Sequence, residues 1–280
     1  MPSSTPTHLV VTIAGSDCSG GAGIQADLKT FGVFGVFGAS VITAVTAQNS
    51  QRFYHANVLS VEQFKSQWRA VREGAPIAAI KLGMLGSCVM ANAVADALDE
   101  FQQQYPAVPI IIDPVLKAST GGDLSGIDAC TVYKERLIPL AHLLTPNILE
   151  AARLLNVAEA TDLNAAEQQA HALKALGANA ILLKGGHLNS LVAHEQTLAC
   201  DLLVDDLGVY RFTTPRLQIE HSHGSGCTLA SAIAAGLAQG LALRQAIAAA
   251  KTYMAGALAQ SARLQLAPVN GPIHHFYAYW

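Results

Sequence analysis

The sequence predicts a doubly wound α/β domain with a mostly parallel sheet, and three observations carry that reading. Short apolar runs rich in β-branched residues alternate with longer segments of helical periodicity. Connections between successive strands contain helices, which favours parallel pairing. Polar, glycine-rich turns follow the apolar runs, at the strand ends where open α/β sheets bind ligands. Half of the 280 residues are hydrophobic and only 13% are charged, which excludes a disordered chain. A chain of this length can bury a sizeable core, and it reads as a single domain over residues 1–280. Residues 1–8 read as a flexible tail.

The first strand is Leu9 to Ala14. It runs into the loop Gly15-Ser16-Asp17-Cys18-Ser19-Gly20-Gly21-Ala22-Gly23 and a helix from about Ile24 to Phe34. The loop lacks the Gly-Lys-Ser/Thr of a P-loop, and its glycines do not fit the dinucleotide fingerprint. Ser40 to Ala47 is the second strand, closed by Gln48-Asn49-Ser50. Val61 to Glu73 is an amphipathic helix, Ile77 to Leu82 a strand, and Ser87 caps a helix to about Gln103. Val108 to Val115 reads as a buried strand carrying Asp113 near its end. Lys117 to Gly126 is a candidate flap, and Asp128 to Leu137 a helix.

After Leu143-Leu144-Thr145-Pro146 come Asn147 and Glu150, three residues apart at a helix start. They could share one functional face or form a capping box. Asn164 to Leu176 is a helix, and Ala180 to Lys184 a strand ending in Gly185-Gly186-His187. Leu198 to Val204 and Val209 to Thr214 flank Asp205-Asp206-Leu207-Gly208 as a hairpin. A glycine-rich stretch, His221 to Thr228, turns into a small-residue helix. Leu243 to Leu264 is a long alanine-rich helix, followed by a tail at Asn270 to His275.

Composition narrows the function classes. The formal net charge of −3 argues against a general nucleic-acid surface. Leu9 to Ala14 has strand length, too short for a membrane span or a signal peptide. The five cysteines match no zinc spacing or disulfide framework, which points to a reducing cytoplasm.

Several residues carry candidate chemistry. Gln48 can donate and accept at once, as a flat heterocycle carrying an amino group beside a ring nitrogen requires, or it can cap loop backbone. Met84 at a strand end can pack in the core or lean on a ring. Lys184 beside two glycines is placed to meet phosphate as a point charge. Gly224-Ser225-Gly226 before a helix can cradle an anion, or be a simple turn. Cys227 sits where a thiolate is favoured, or packs inertly.

Taken together, these stretches resemble the hydroxymethylpyrimidine/phosphomethylpyrimidine kinases, within the ribokinase-like superfamily. The resemblance rests on Thr12 to Asp17, Ser19 to Thr30, Val41 to Ala44 with Ala47-Gln48-Asn49, and Lys81 to Leu85. It continues through Asp113-Pro114-Val115, Thr145-Pro146-Asn147 with Glu150-Ala151, Leu183 to His187, His223 to Leu229 and Gly271-Pro272. It implies a three-layer α/β/α sandwich and a homodimer. It also implies two successive phosphoryl transfers from ATP with Mg2+, to the pyrimidine alcohol and then to its monophosphate. Gln48, Gly15, Asp27, Met84 and Val115 would surround the pyrimidine. Asn147, Glu150 and Asp113 would arrange magnesium, largely through water. Lys184 would approach the transferring phosphate. Gly224, Ser225 and Gly226 would form the anion hole, with Cys227 as base, its thiol pKa lowered from about 8.5 by the helix end.

The departures from the pattern are Cys18 in place of a usual proline, Lys117 at a commonly apolar flap position, and Gln51 to His55 in place of a familiar turn. The rivals are a pyridoxine/pyridoxal kinase on the same fold and a silent pyrimidine-binding protein. A dinucleotide oxidoreductase fails on the missing fingerprint.

Overall fold

The computed structural model describes residues 7–116, 129–186 and 198–280. The tail at 1–8 falls largely outside these, except that the His8 carbonyl accepts from Phe37 N at 2.9 Å. The flap at Lys117 to Gly126, and His187, lie outside them entirely.

Among the described residues, nine strands form one sheet: β1 (Leu9–Asp17), β2 (Phe37–Gln48), β3 (Phe53–Val58), β4 (Ile77–Leu82), β5 (Ile110–Ile112), β6 (Leu143–Leu144), β7 (Ile181–Leu183), β8 (Leu198–Asp205) and β9 (Gly208–Pro215). Their order is β3-β2-β1-β4-β5-β6-β7-β8-β9. The six strands from β2 to β7 are mutually parallel. At the two edges the pairings β2–β3, β7–β8 and β8–β9 are antiparallel.

The helices are α1 (Gly23–Val33), α2 (Val61–Gly74), α3 (Cys88–Gln104), α4 (Ala129–Val132), α5 (Ile148–Leu155), α6 (Leu163–Lys174), α7 (Ser225–Ala238) and α8 (Leu243–Ala259). The continuous apolar strands sort their side chains by period two onto opposite faces. Val11, Ile13, Ile110, Ile112, Ile181 and Leu183 pack toward α2, α3, α5 and α6. Val10, Ile111 and Leu182 pack toward α1, α7 and α8. Two helical layers thus enclose the sheet, as the resemblance implies.

From β1 the chain steps to β2 on one side, and later to β4 on the other. The sheet therefore reverses direction between β1 and β4, and a crevice opens there at the strand ends. Two register shifts sit at that end. One falls between Ala14 and Ser16 of β1. The other lies at Gln48, which pairs with Phe53 and skips Tyr54. Such irregularities re-aim side chains beside binding sites.

Several boundaries differ from expectation. β3 was not foreseen. β5 stops at Ile112 instead of Val115: Asp113 N still bonds the Leu82 carbonyl at 2.9 Å, but Pro114 has no N–H to continue the ladder. The helix expected to Leu137 gives way to a π-helical turn at Tyr133–Leu137. α8 ends at Ala259, and a 3-10 turn follows at Ser261–Leu264, where Ser261 Oγ bonds the Leu258 carbonyl.

Candidate active site

A cavity of about 320 Å³ opens at the reversal of the sheet. Its walls come from the ends of β1, β2 and β3, from the segments after β4, β5, β6 and β7, and from the start of α7.

The loop after β1 is built around Asp17. One carboxylate oxygen accepts from Ser19 N at 2.9 Å. The other accepts from Ser19 Oγ at 2.8 Å and Ala22 N at 2.9 Å, and lies 2.8 Å from His223 Nε2. Burial works to raise the Asp17 pKa, but His223 and the Ser19 hydrogen bonds outweigh it and hold it well below the usual carboxylate range. His223 brings the second glycine loop against the first. Gly224 has φ +83°, and a Cβ there would collide with the Gly21 carbonyl, so only glycine allows this approach.

Gly224 is the N-cap of α7. Ser225 N bonds back to Ser222, and Thr228 N closes the first turn onto Gly224. Between them, the amides of Gly226 and Cys227 make no backbone bond among the described residues. They are the free donors expected at a helix start. A Cβ on Gly226 would lie 3.3 Å from Lys184 Nζ and 3.4 Å from Asp113 Oδ2. The missing side chain lets the charged groups face those amides directly.

Lys184 Nζ lies 2.8 Å from Asp113 Oδ1 and 3.9 Å from Glu150 Oε2. Burial works against the ammonium, but Asp113 and Glu150 outweigh it and raise its pKa. Burial pushes Glu150 up to about 7, with Lys184 opposing and Asp113 adding. Asn147 and Glu150 do form a capping box: Asn147 Oδ1 accepts from Glu150 N, and Glu150 Oε2 from Asn147 N, both at 2.8 Å. Both residues also line the cavity. The two readings of this pair are compatible.

At the other end, Met84 packs with Ala44, Phe53 and Val115 as an apolar wall. A Cβ on Gly15 would meet Met84 Sδ at 3.1 Å, so glycine keeps this end open. Gln48 borders the same wall. Its backbone N–H and carbonyl meet Cys18 Sγ at 3.5 and 3.3 Å.

The structure thus gathers twelve of the thirteen expected site residues around one cavity. Asp27 is the exception and a correction. It is fully buried, and its oxygens are taken by Thr12, Lys81 and Ser231. A helix position near a loop gave no sign that the side chain points inward. Cys227 stands at the cavity as expected, but its pKa moves the opposite way. Burial pushes the thiol up to about 11, and the Lys81 charge offsets this only in part. Two polar wall residues, Asp17 and His223, were not singled out as site residues. Their signal was an Asp-x-Ser turn and a His directly before the glycine turn that opens α7.

The donors present suit a hard cation. Asp113, Glu150 and Asn147 offer oxygens only, and two carboxylates against one Lys184 leave room for added positive charge. Among the described residues, no group of three His, Cys, Asp or Glu forms a cage of its own. A magnesium ion here would rely on water and phosphate oxygens as well.

Residues 17–274 match the family model described as phosphomethylpyrimidine kinase. The hydroxymethylpyrimidine/phosphomethylpyrimidine kinase of Rhizobium meliloti is 42% identical, over 98% of this chain and 99% of that protein. The Escherichia coli protein of the same name is 38% identical over 96% and 98%. Among solved structures, Bacillus subtilis pyridoxal kinase in an ADP complex superposes with a TM-score of 0.85, at 30% identity over 98% and 99% of the two chains. Phosphomethylpyrimidine kinase from Clostridium difficile gives 0.75 at 34% identity, over 89% and 98%. With fold, cavity and sequence in agreement, the chain belongs to the phosphomethylpyrimidine kinase family.

Proposed function

We propose that this protein is an ATP-dependent kinase of thiamine biosynthesis. It phosphorylates 4-amino-5-hydroxymethyl-2-methylpyrimidine, and then the resulting monophosphate to the diphosphate. One observation carries the reading: Lys184, Asp113 and Glu150 face the unpaired amides of α7 across a cavity whose far end is apolar and edged by Gln48. A phosphoryl group fits the first half, and a flat aminopyrimidine the second.

Phosphoryl transfer depends on alignment and charge neutralisation. Gln48 pairs with the ring edge, which holds amino and ring nitrogens side by side. Met84 and Val115 pack on the ring, and Gly15 leaves the space for it. The Gly226 and Cys227 amides hold the oxygens of the γ-phosphoryl group, with Gly224 and Ser225 shaping the turn. Lys184 leaves Asp113 to meet the same group. Magnesium, when bound, neutralises phosphate charge next to Asp113, Asn147 and Glu150. Cys227 takes the proton of the substrate hydroxyl as that oxygen bonds to the γ-phosphorus. The bond from phosphorus to the β-phosphate oxygen breaks, and ADP leaves with that electron pair.

The protein works as one domain, as a homodimer and in the cytoplasm. The β2–β3 edge supports the dimer, since it exposes Val45 and Tyr54. Five free cysteines suit a reducing compartment. Among the described residues, no helix is long and apolar enough to cross a membrane.

The second reading is a pyridoxal kinase, favoured by the superposition on the Bacillus subtilis enzyme. A transfer assay with ATP and magnesium decides, run in parallel on the pyrimidine alcohol, its monophosphate and pyridoxal. The expected result is turnover of both pyrimidines, with mono- and diphosphate appearing in sequence. Turnover of pyridoxal without either pyrimidine would replace the first reading with the second.

A further inference from the structure

A polar cluster behind the cavity is unused by the chemistry described so far. Lys81 near the end of β4 and Asp27 in α1 are fully buried and joined at 2.9 Å. The same Asp27 oxygen accepts from Thr12 Oγ1 of β1 at 2.6 Å. The other accepts from Ser231 Oγ of α7 at 2.7 Å. One carboxylate therefore ties four elements together. Ser231 lies one helical turn beyond Cys227, on the same side of α7.

A buried ion pair is expensive to desolvate, and apolar side chains of similar volume commonly stabilise as well or better. Stability alone therefore gives little reason for Lys81 and Asp27. Charge placement gives a better one. The charged groups acting on Cys227 are Lys81, Asp27, Asp113 and Lys184. Of these, Lys81 most favours the thiolate. Its ammonium lies where a Cβ on Gly83 would meet it at 2.8 Å, at the reversal of the sheet. Cys227 and Gly23, the first residue of the helix that carries Asp27, line the same cavity.

Building on the reading of Cys227 as base, we infer that Lys81 and Asp27 are a positioning pair for it. Asp27 clamps the first turns of α7 through Ser231. Lys81 supplies a fixed countercharge for the thiolate that must form before the hydroxyl proton is taken.

The test is the double variant Lys81→Met/Asp27→Asn, which removes both charges and leaves an amide whose oxygen can accept from one of the two hydroxyls while its NH2 donates to the other. Alkylation of Cys227 by iodoacetamide is followed at neutral pH by peptide mass spectrometry, with exposed Cys18 as reference in the same sample. The Lys81 charge favours the thiolate more than the Asp27 charge opposes it, so losing both is expected to slow Cys227 alkylation by about twofold to threefold against Cys18. kcat should fall by a similar factor, with KM for the pyrimidine held within about twofold. Unchanged alkylation of Cys227 in the folded double variant overturns the inference, whatever the turnover. Slower alkylation with unchanged kcat upholds the pair and removes Cys227 from the base role. If the double variant does not fold, Ser231→Ala takes its place. It leaves both charges and frees α7, so a kcat reduced severalfold at constant KM supports the clamp, and wild-type kcat overturns it.

Discussion

Asp17 and His223 meet at 2.8 Å across 206 residues of sequence, both buried. The contact locks the glycine loop after β1 to the glycine turn before α7. His223→Ala is expected to lower stability by about 1–3 kcal/mol, the scale of a lost hydrogen bond to a buried charged group. Asp17 keeps its Ser19 and Ala22 donors, so the fold survives. Chemical denaturation read by circular dichroism measures the loss. Turnover should fall further than stability predicts, because the glycine turn at the start of α7 loses its anchor.

Cys227 gives a kinetic prediction with a definite sign. The thiolate is the active form of a base, and burial has raised the thiol to about 11. Near neutral pH the thiolate is scarce, and its share grows as pH rises. Wild-type kcat should therefore climb between pH 7 and 9. Cys227→Asp, whose carboxylate is already ionised in that range, should give a flatter profile. Cys227→Ala should cost about 10²- to 10⁴-fold at any pH in the window. A steady-state assay across buffers checks all three.

Gly226→Ala separates stability from activity. Gly226 lies inside α7 without a positive φ, so alanine suits the helix and offsets crowding. The thermal midpoint should stay close to wild type. The new Cβ would press within 3.3 Å of Lys184 Nζ and 3.4 Å of Asp113. kcat should drop about tenfold or more, with KM for the pyrimidine little changed.

His275 makes stability depend on pH. Its Nε2 lies 3.0 Å from Thr228 Oγ1, just after Cys227. Burial, with Lys29 and His274 adding, lowers its pKa to about 3. The unfolded chain takes up this proton near pH 6.5, while the folded protein resists until about pH 3. Between those values the unfolded state binds more protons, so stability falls as pH falls. Going from pH 7 to 5, wild type should lose about 1–2 kcal/mol more than His275→Gln. Urea unfolding at the two pH values measures the difference.

Where burial and strand period agree, the fold was legible in the sequence. β4 was placed to the residue because the apolar run Ile77 to Ile80 with Leu82 is buried on both faces, interrupted only by Lys81. β3 escaped because Phe53–Val58 is an edge strand holding Tyr54, His55 and Asn57, with no residue fully buried. Its backbone pairing with β2 holds it in place, and that leaves no hydrophobic signature. Most of the cavity lining was legible because its residues sit at or just after strand ends. Asp27 was misplaced for the opposite reason. Which way a helical carboxylate points depends on Lys81 and Ser231, 54 and 204 residues away. The thiol of Cys227 was misjudged similarly: the helix end was visible in sequence, and the burial was not.

The Asn147–Glu150 cap leaves no clean line between scaffold and machinery, since removing either side chain unravels a helix start and empties part of the cavity wall. Glutamine fills the same capping role as glutamate. Glu150→Gln would therefore keep α5 intact while fixing as neutral a carboxyl whose pKa burial pushes up to about 7, turning an otherwise ambiguous knockout into a test of how much charge the site requires.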